Sequence, residues 1–138
     1  VRTFSELRSD MPVNTAGAIS AQDINNLVDT VEEVTTQRVS AKTASYTAVV
    51  GDNRTFFTMN VAAANTFTVP ATAPVGWECA VMQIGDGQTT IAASGAGHLL
   101  AHPDGHTKIT RKYGMVYLKV YANAGSAPQV AFTGDTSL

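Results

Sequence analysis

The feature that most constrains the fold is a change in the period of the apolar residues along the chain. Near the N-terminus, one segment repeats its apolar residues three or four positions apart, which is the spacing of an amphipathic helix. From about Thr43 to Thr133 that period disappears, and short strand-like runs alternate with turn residues. A single narrow helical stripe is too small to build a domain of its own. The sequence therefore predicts a mainly β protein preceded by one N-terminal α-helix.

Composition limits the number of domains and the classes of partner. A chain of 138 residues with 44% hydrophobic residues is long enough for one β domain and an appendage. Charged residues make up only 14% and the formal net charge is -2, so no basic stripe is available to neutralise phosphates and we expect no nucleic-acid partner. No apolar run is long enough to span a bilayer, and residues 1–10 lack the apolar core of a secretory signal. We therefore expect synthesis in a cytoplasm and no membrane insertion.

The chain has one cysteine, Cys79, which lies in an apolar run. We expect it to be a buried free thiol.

Residues 1–18 are predicted to form an attachment segment. Three apolar side chains are spaced along it, at Phe4, Leu7 and Met11. The segment has no strong periodic element in which to bury these side chains. We therefore expect it to anchor the chain to a partner.

The next segment, residues 19–40, is predicted to be an amphipathic helix. Ser20 is placed to act as its N-cap, and Asp23, three residues on, can accept a hydrogen bond from the Ser20 amide. Ile19 before the cap and Ile24 after it are spaced to pack as a hydrophobic staple. These local signals agree on where the helix begins.

The apolar stripe of this helix has the spacing of a short coiled-coil seam. Ile24, Leu27, Val31 and Val34 occupy successive a and d positions, but the next a position is Arg38. A stripe of about two heptads cannot hold chains together by itself. The alternative is that the helix packs its apolar face against its own β domain.

The strand-like runs over residues 43–138 predict a small antiparallel β-sandwich or jelly roll. In three of the runs apolar residues alternate with polar ones, so that each run offers one face to a core. The apolar members are Phe57, Met59 and Val61 in the first run, Phe67 and Val69 in the second, and Val116, Leu118 and Val120 in the third. The segment Gly85-Asp86-Gly87, between Gln83 and Thr89, carries the strongest signal for a β-hairpin.

No catalytic, cofactor-binding or metal-binding site is predicted. His98, His102 and His106 are spaced by four, but Pro103 lies among them and excludes a helix that presents all three, so surface histidines on a loop are expected. The aspartates occur in turns, where they are favoured for backbone reasons: Asp52, Asp86, Asp104 and Asp135. Their spacing favours no carboxylate pair, and no serine has the context of a nucleophile. An enzyme is therefore not expected.

A row of tyrosines is the strongest candidate for a binding surface. If residues 113–121 form one strand, Tyr113, Tyr117 and Tyr121 share one face and the opposite face takes the core residues. Monomeric proteins seldom leave such a row bare, so a subunit interface or a second sheet is expected to cover it. The functional alternative is stacking of sugar rings on the tyrosines.

An ordered set of short motifs runs through about two thirds of the chain. These motifs are Tyr46-Thr47, Gly51-Asp52, Phe57-x-Met59-Asn60, Ala64-Asn65-Thr66-Phe67-Thr68-Val69-Pro70, Val75-Gly76, Val81-x-Gln83-x-Gly85-x-Gly87-Gln88, Ile91-Ala92-Ala93, Gly97 and Thr133-Gly134-Asp135. In this order they resemble the β module of bacteriophage tail-fibre, head-fibre and related virion proteins. The segment from Asn14 to Asp23 is likewise similar to phage structural proteins. Members often carry tryptophan just before the terminal Gly-Asp, where this chain has Phe132.

The resemblance implies a structural role in a virion. It favours a short homo-oligomeric fibre or decoration element, with three chains the favoured number, bound to other virion proteins of a phage capsid or tail. The alternative that it leaves open is an adhesion module of a tail fibre that recognises a host surface glycan. Charge-poor, threonine-rich surfaces with many small residues suit close packing of chains around an axis, which agrees with this expectation.

Overall fold

The structure is a computed structural model that describes residues 20–35 and 37–138, with residues 30–35 described by their backbone alone. The chain divides into two units, Val1–Gln37 and Arg38–Leu138. The anchor residues Phe4, Leu7 and Met11 lie outside the described residues, as does Ile19 of the predicted staple.

The described part of the first unit is helix α1, Ala21–Thr35. Its start confirms the predicted capping box, since the Asp23 amide donates to Ser20 Oγ at 3.1 Å and the Ser20 amide donates to Asp23 Oδ2 at 2.7 Å. The predicted end at residue 40 is wrong, because Val39–Lys42 is a strand that pairs with another strand of the second unit. Among the described residues, no helix has the length and apolar character needed to cross a lipid bilayer.

The second unit is built from strands, so the prediction of a mainly β chain with one short helix is confirmed. A 3-10 turn at Val50–Asp52 is its only helical element within the described ranges. The strands are β1 Val39–Lys42, β2 Tyr46–Thr47, β3 Thr55–Met59, β4 Asn65–Val69, β5 Glu78–Gln83, β6 Thr89–Ala93, β7 Leu99–Ala101, β8 Lys108–Ile109, β9 Met115–Asn123, β10 Pro128–Gly134 and β11 Thr136–Ser137.

The strands form two mixed sheets, of six strands in the order β1-β3-β5-β9-β10-β7 and of five in the order β11-β8-β6-β4-β2. Over the first six strands the chain alternates between the sheets, so that β1, β3 and β5 run parallel in one while β2, β4 and β6 run parallel in the other. Each passage through both sheets is one coil, stacked on the coil before it. The prediction of an antiparallel domain is therefore wrong for this half of the unit. Antiparallel pairing begins where β9 joins β5 and β8 joins β6.

The predicted hairpin at Gly85–Gly87 is also wrong. β5 and β6 belong to different sheets, and residues 84–88 form a corner that carries the chain from one sheet to the other. This corner stacks on the preceding one, residues 60–64, through hydrogen bonds from Gly85 N to Met59 O at 3.0 Å and from Gly87 N to Val61 O at 2.9 Å. The glycines are needed because the two backbones approach so closely that a Cβ on Gly87 would lie 1.8 Å from Ala63 O.

Three buried polar side chains, Asn65, Gln83 and Thr89, connect the stacked corners. Asn65 Nδ2 donates to Ala63 O at 3.1 Å and to Gly87 O at 3.3 Å, and thus spans both corners. Thr89 Oγ1 donates to Asn65 Oδ1 at 2.8 Å, while the Thr89 amide donates to Gln83 Oε1 at 3.0 Å. Buried polar groups in these positions satisfy backbone atoms that the change of sheet leaves unpaired.

The core lies between the two sheets and confirms the predicted alternation. In β3 and β4 every second residue is buried, and the rings of Phe57 and Phe67 meet across the core at 4.8 Å between centroids. Val116, Leu118 and Val120 of β9 are buried beside them. Cys79 is a buried free thiol, as predicted. Its burial raises the pKa of the thiol, which keeps it uncharged.

Candidate interaction surface

The two sheets differ in what they present on the face away from the core. The five-stranded sheet carries threonines there, with Thr66, Thr90 and Lys108 in register across β4, β6 and β8. A second row joins Thr47 and Thr68 in the same way. Hydroxyl and ammonium groups are readily hydrated, so this face is polar.

The outer face of the six-stranded sheet is apolar instead. One row across five strands consists of Val39, Phe56, Ala80, Tyr117 and Thr133, each opposite the next. Val39 is 70% exposed and Tyr117 is 40% exposed. The row thus brings a valine, two aromatic rings and an alanine to the surface side by side.

A parallel row continues this apolar surface. Thr58, Met82 and Met115 lie opposite one another on β3, β5 and β9, and Met115 is 46% exposed. Tyr121, further along β9, is 49% exposed. We call the side chains of both rows together with Tyr121 the apolar outer face. An apolar surface of this kind on one side of a sheet, with a hydrated surface on the other, marks a site of interaction.

A small polar cluster interrupts the apolar outer face. The Tyr117 hydroxyl donates to Glu78 Oε2, which also lies 3.5 Å from Lys119 Nζ, and Arg54 Nε lies 3.7 Å from Glu78 Oε1. The bond to Glu78 raises the pKa of Tyr117 to about 12, and the bond from Tyr117, together with the two cations, lowers the pKa of Glu78. Both groups are therefore held in one charge state over the neutral range, with the tyrosine protonated and the carboxylate ionised.

Tyr113 does not lie on the strand with the other two tyrosines. β9 begins at Met115, and Tyr113 occupies the preceding turn with a left-handed backbone, at φ +66°. Its amide donates to Gln83 O at 2.6 Å, and its side chain is 65% exposed. The assumption that residues 113–121 form one strand is wrong at its N-terminal end, while Tyr117 and Tyr121 do point away from the core, as expected.

The apolar stripe of α1 is also open to contact. Ile24 is 54% exposed and Leu27 is 40% exposed, with Val28 beside them at 47%. Val31 and Val34 lie on the helix, but their side chains are outside the described ones.

The loop between β7 and β8 gathers two of the three histidines. His102 and His106 stack with ring centroids 4.6 Å apart, and one ligand atom from each lies within 4.8 Å of the other and of an Asp104 carboxylate oxygen. His98 is not part of this cluster and contacts Gly95 O through Nδ1 at 2.7 Å. As the position of Pro103 predicts, no helix presents these residues, but a turn brings His102 and His106 together.

The other turn aspartates have partners of different kinds. Asp52 Oδ2 accepts hydrogen bonds from the Tyr46 hydroxyl at 2.7 Å and from the Val49 amide at 2.9 Å. The bond from Val49, three residues away, fits the backbone role that the sequence predicts for aspartates in turns. Asp86 and Asp135 instead contact distant residues, since Asp86 lies 2.9 Å from Lys112 Nζ and Asp135 accepts from the Met115 amide at 3.3 Å.

Sequence reasoning missed most of the apolar outer face. Val39, Phe56 and Met82 belong to β1, β3 and β5, which join the sheet through parallel pairing with one another and through antiparallel pairing of β5 with β9. One signal was present at Phe56, which adjoins the core residue Phe57 and must therefore face the other way in a strand. A run that is apolar on both faces indicates a sheet that is covered on both sides.

Comparisons with known proteins give no information on the function of this surface. No model of a known protein family matches the chain, and a search of curated proteins finds no significant match. Function must therefore be argued from the residues and their geometry.

Proposed function

We propose that this chain is a phage virion structural protein, a short oligomeric fibre or decoration element joined to the capsid or tail through residues 1–18. The observation that carries the proposal is the apolar outer face, which is exposed in a single chain on one sheet while the other sheet is covered with threonines. The resemblance of the motifs to fibre modules points the same way. Binding, rather than turnover, is the activity we assign.

Three chains are the favoured assembly, with the β units packed as sandwich modules through their apolar outer faces. The stripe on α1 adds a short coiled-coil seam. A helix of 15 residues is only about 22 Å long, so neither surface is expected to suffice alone. The two surfaces together provide apolar contact at both the helix and the sheet.

The attachment role can be tested on particles. Removing residues 1–18 is expected to leave a folded β unit that no longer joins virions, because the predicted anchors Phe4, Leu7 and Met11 are removed while every strand is kept. The measurement is immunodetection of the protein in particles purified from an infection in which only the truncated gene is expressed. The full-length chain with the same tag is the control, and incorporation of the truncated chain at the control level would contradict the attachment role.

The second candidate function is recognition of a host surface glycan. It is favoured by the exposed rings of Tyr117 and Tyr121, which lie on the same strand as Lys119. The Tyr117 hydroxyl also donates to Glu78, which lies 3.5 Å from Lys119 Nζ. Aromatic rings beside fixed polar groups suit a sugar, which stacks on the ring and bonds to the charges. The two functions make opposite demands on Tyr117, because an interface buries the ring and a receptor site leaves it open.

Tyr117→Ser separates these functions. Under the fibre proposal the change removes a buried ring and lowers the free energy of unfolding of the oligomer by about 1.5–3 kcal/mol, without changing cell binding per folded particle. Thermal melting and binding to host cells measure the two effects. Tyr117→Phe is the matched control, since it keeps the ring and removes only the bond to Glu78. A Tyr117→Ser protein that melts like the parent but fails to bind cells would decide for the glycan.

A further inference from the structure

We propose that the loop between β7 and β8 binds a divalent transition metal ion of the zinc class through His102, Asp104 and His106. Imidazole nitrogens and a carboxylate oxygen are the protein ligands that such ions prefer, and three of them leave one position for water. The inference rests on this loop alone and does not depend on the fibre assignment.

The backbone of the loop explains why the ligands lie together. His102 to Gly105 form a turn, with Pro103 and Asp104 at its centre and a hydrogen bond from Gly105 N to His102 O at 3.1 Å. Gly105 has φ +67°, a left-handed conformation in which glycine is the favoured residue. The turn reverses the chain, so that the imidazole of His106 lies against that of His102 with an angle of 16° between the rings.

The two imidazoles converge on one point. His102 Nε2 and His106 Nδ1 each lie 2.9 Å from Thr136 Oγ1, a hydroxyl on β11. Two nitrogens on a tetrahedral zinc ion are roughly 3.3 Å apart, given bonds of about 2.0–2.1 Å. The ligand atoms lie within 4.8 Å of one another, so a small rearrangement of the loop brings them to that separation.

Two neighbouring side chains support the site, the ring of Phe132 and the carboxylate of Asp104. Phe132 packs against the ring of His102 at 5.6 Å between centroids, which holds this imidazole on its inner side. Asp104 is exposed at the tip of the turn, and no hydrogen bond or ion pair to its carboxylate is seen among residues 20–35 and 37–138. The carboxylate is thus available to turn toward an ion held by the two rings.

Two hydrogen bonds to His102 oppose binding of the ion. His102 Nδ1 accepts from the Asp104 amide at 3.1 Å and from the His106 amide at 3.4 Å, so the neutral ring carries its proton on Nε2. Coordination through Nε2 requires that proton to leave this nitrogen, and a proton placed on Nδ1 would face the Asp104 amide. Metal binding must therefore open this part of the turn, and we expect an affinity well below that of a closed structural zinc site.

The test is a titration of the metal-stripped full-length protein with ZnCl2 by calorimetry and with CoCl2 by visible absorption. We expect one ion per chain, a cobalt spectrum of a four-coordinate site, and a melting temperature that rises with zinc. His106→Ala and Asp104→Asn should each weaken binding at least tenfold, whereas His98→Ala, which alters a histidine outside the cluster, should bind like the parent.

Several outcomes would overturn the site. These are the absence of saturable binding, a stoichiometry of one ion for several chains, or an equal loss of binding in His98→Ala and His106→Ala. Circular dichroism of each variant checks folding. If His106→Ala is misfolded, Asp104→Asn decides, because an exposed turn side chain can be changed without loss of the core. Retention of full affinity in a folded Asp104→Asn variant would remove Asp104 from the ligand set and refute the three-ligand site.

Discussion

Gly87→Ala is expected to destabilise the β unit strongly. The new Cβ would lie 1.8 Å from Ala63 O and 2.3 Å from Ala63 C, which are backbone atoms of the neighbouring corner. No side-chain rotation relieves such a contact, so the two corners must separate and break the hydrogen bonds between them. We expect a loss of at least about 3 kcal/mol in the free energy of unfolding, the upper range for overpacked cores. Urea denaturation followed by the fluorescence of the buried Trp77 measures it.

Gly51→Ala is the matched control. A Cβ at Gly51 meets nothing within 4 Å, and the residue has no left-handed backbone conformation. The same added methyl group should therefore leave stability unchanged or raise it slightly, by at most about 1 kcal/mol. If Gly87→Ala unfolds at the same urea concentration as the parent, the stacked corners are not as close as described.

Leu27→Asp is expected to dissociate the assembly into single chains. Leu27 is exposed on the apolar stripe of α1, so in a trimeric seam the change places three carboxylates against one another in an apolar contact. The mass measured by light scattering should fall from that of the oligomer to that of one chain, 14.5 kDa.

Gln22→Glu is the control for this charge. Gln22 is also exposed on α1, on the side opposite the apolar stripe. Its replacement by glutamate therefore adds one negative charge per chain, as Leu27→Asp does, but away from the stripe. It should keep the mass of the parent. An unchanged mass for Leu27→Asp would exclude the helix from the interface, and a parent protein that is a single chain at all concentrations would end the proposal of an oligomer.

Local features of this fold follow from the sequence because they depend on neighbours along the chain. The capping box of α1 involves two residues three positions apart, and the alternation in β9 follows from the geometry of any strand. The buried sides of β3, β4 and β9 were predicted for the same reason. The end of the helix was not, since Val39 is drawn into a strand by pairing with Phe56, a residue of another element.

Which strands pair with one another could not be predicted, because pairing depends on contacts between segments that are distant in the sequence. Gly85-Asp86-Gly87 has the composition of a tight turn, yet its glycines serve a close approach to residues 61–63. In the structure Met59 pairs with Gln83 and Asn65 with Thr89, and both pairs are 24 residues apart. Equal offsets in two consecutive strands indicate stacked coils and argue against a hairpin.

The candidate surfaces, like the fold, could be predicted only where they depend on the spacing of residues within one segment. Tyr117 and Tyr121 could be placed on one face of a strand from their own spacing. Their neighbours Phe56 and Ala80 could not, since these depend on the order of strands in the sheet. The pair of His102 and His106 was missed because a turn, whose geometry depends on Pro103 and Gly105, sets the distance between them.

The alternation of the chain between two sheets has a consequence for how such a protein can change its length. Because one coil begins and ends at equivalent positions, duplicating residues 60–83 in tandem would add a complete layer without disturbing the layers on either side. Each added layer would extend the stack by about 4.8 Å, the distance between neighbouring strands. The antiparallel strands β9 and β10 would still close the stack, and the helix would still precede it. The length of the β unit is therefore a property that gene duplication can adjust in small equal steps.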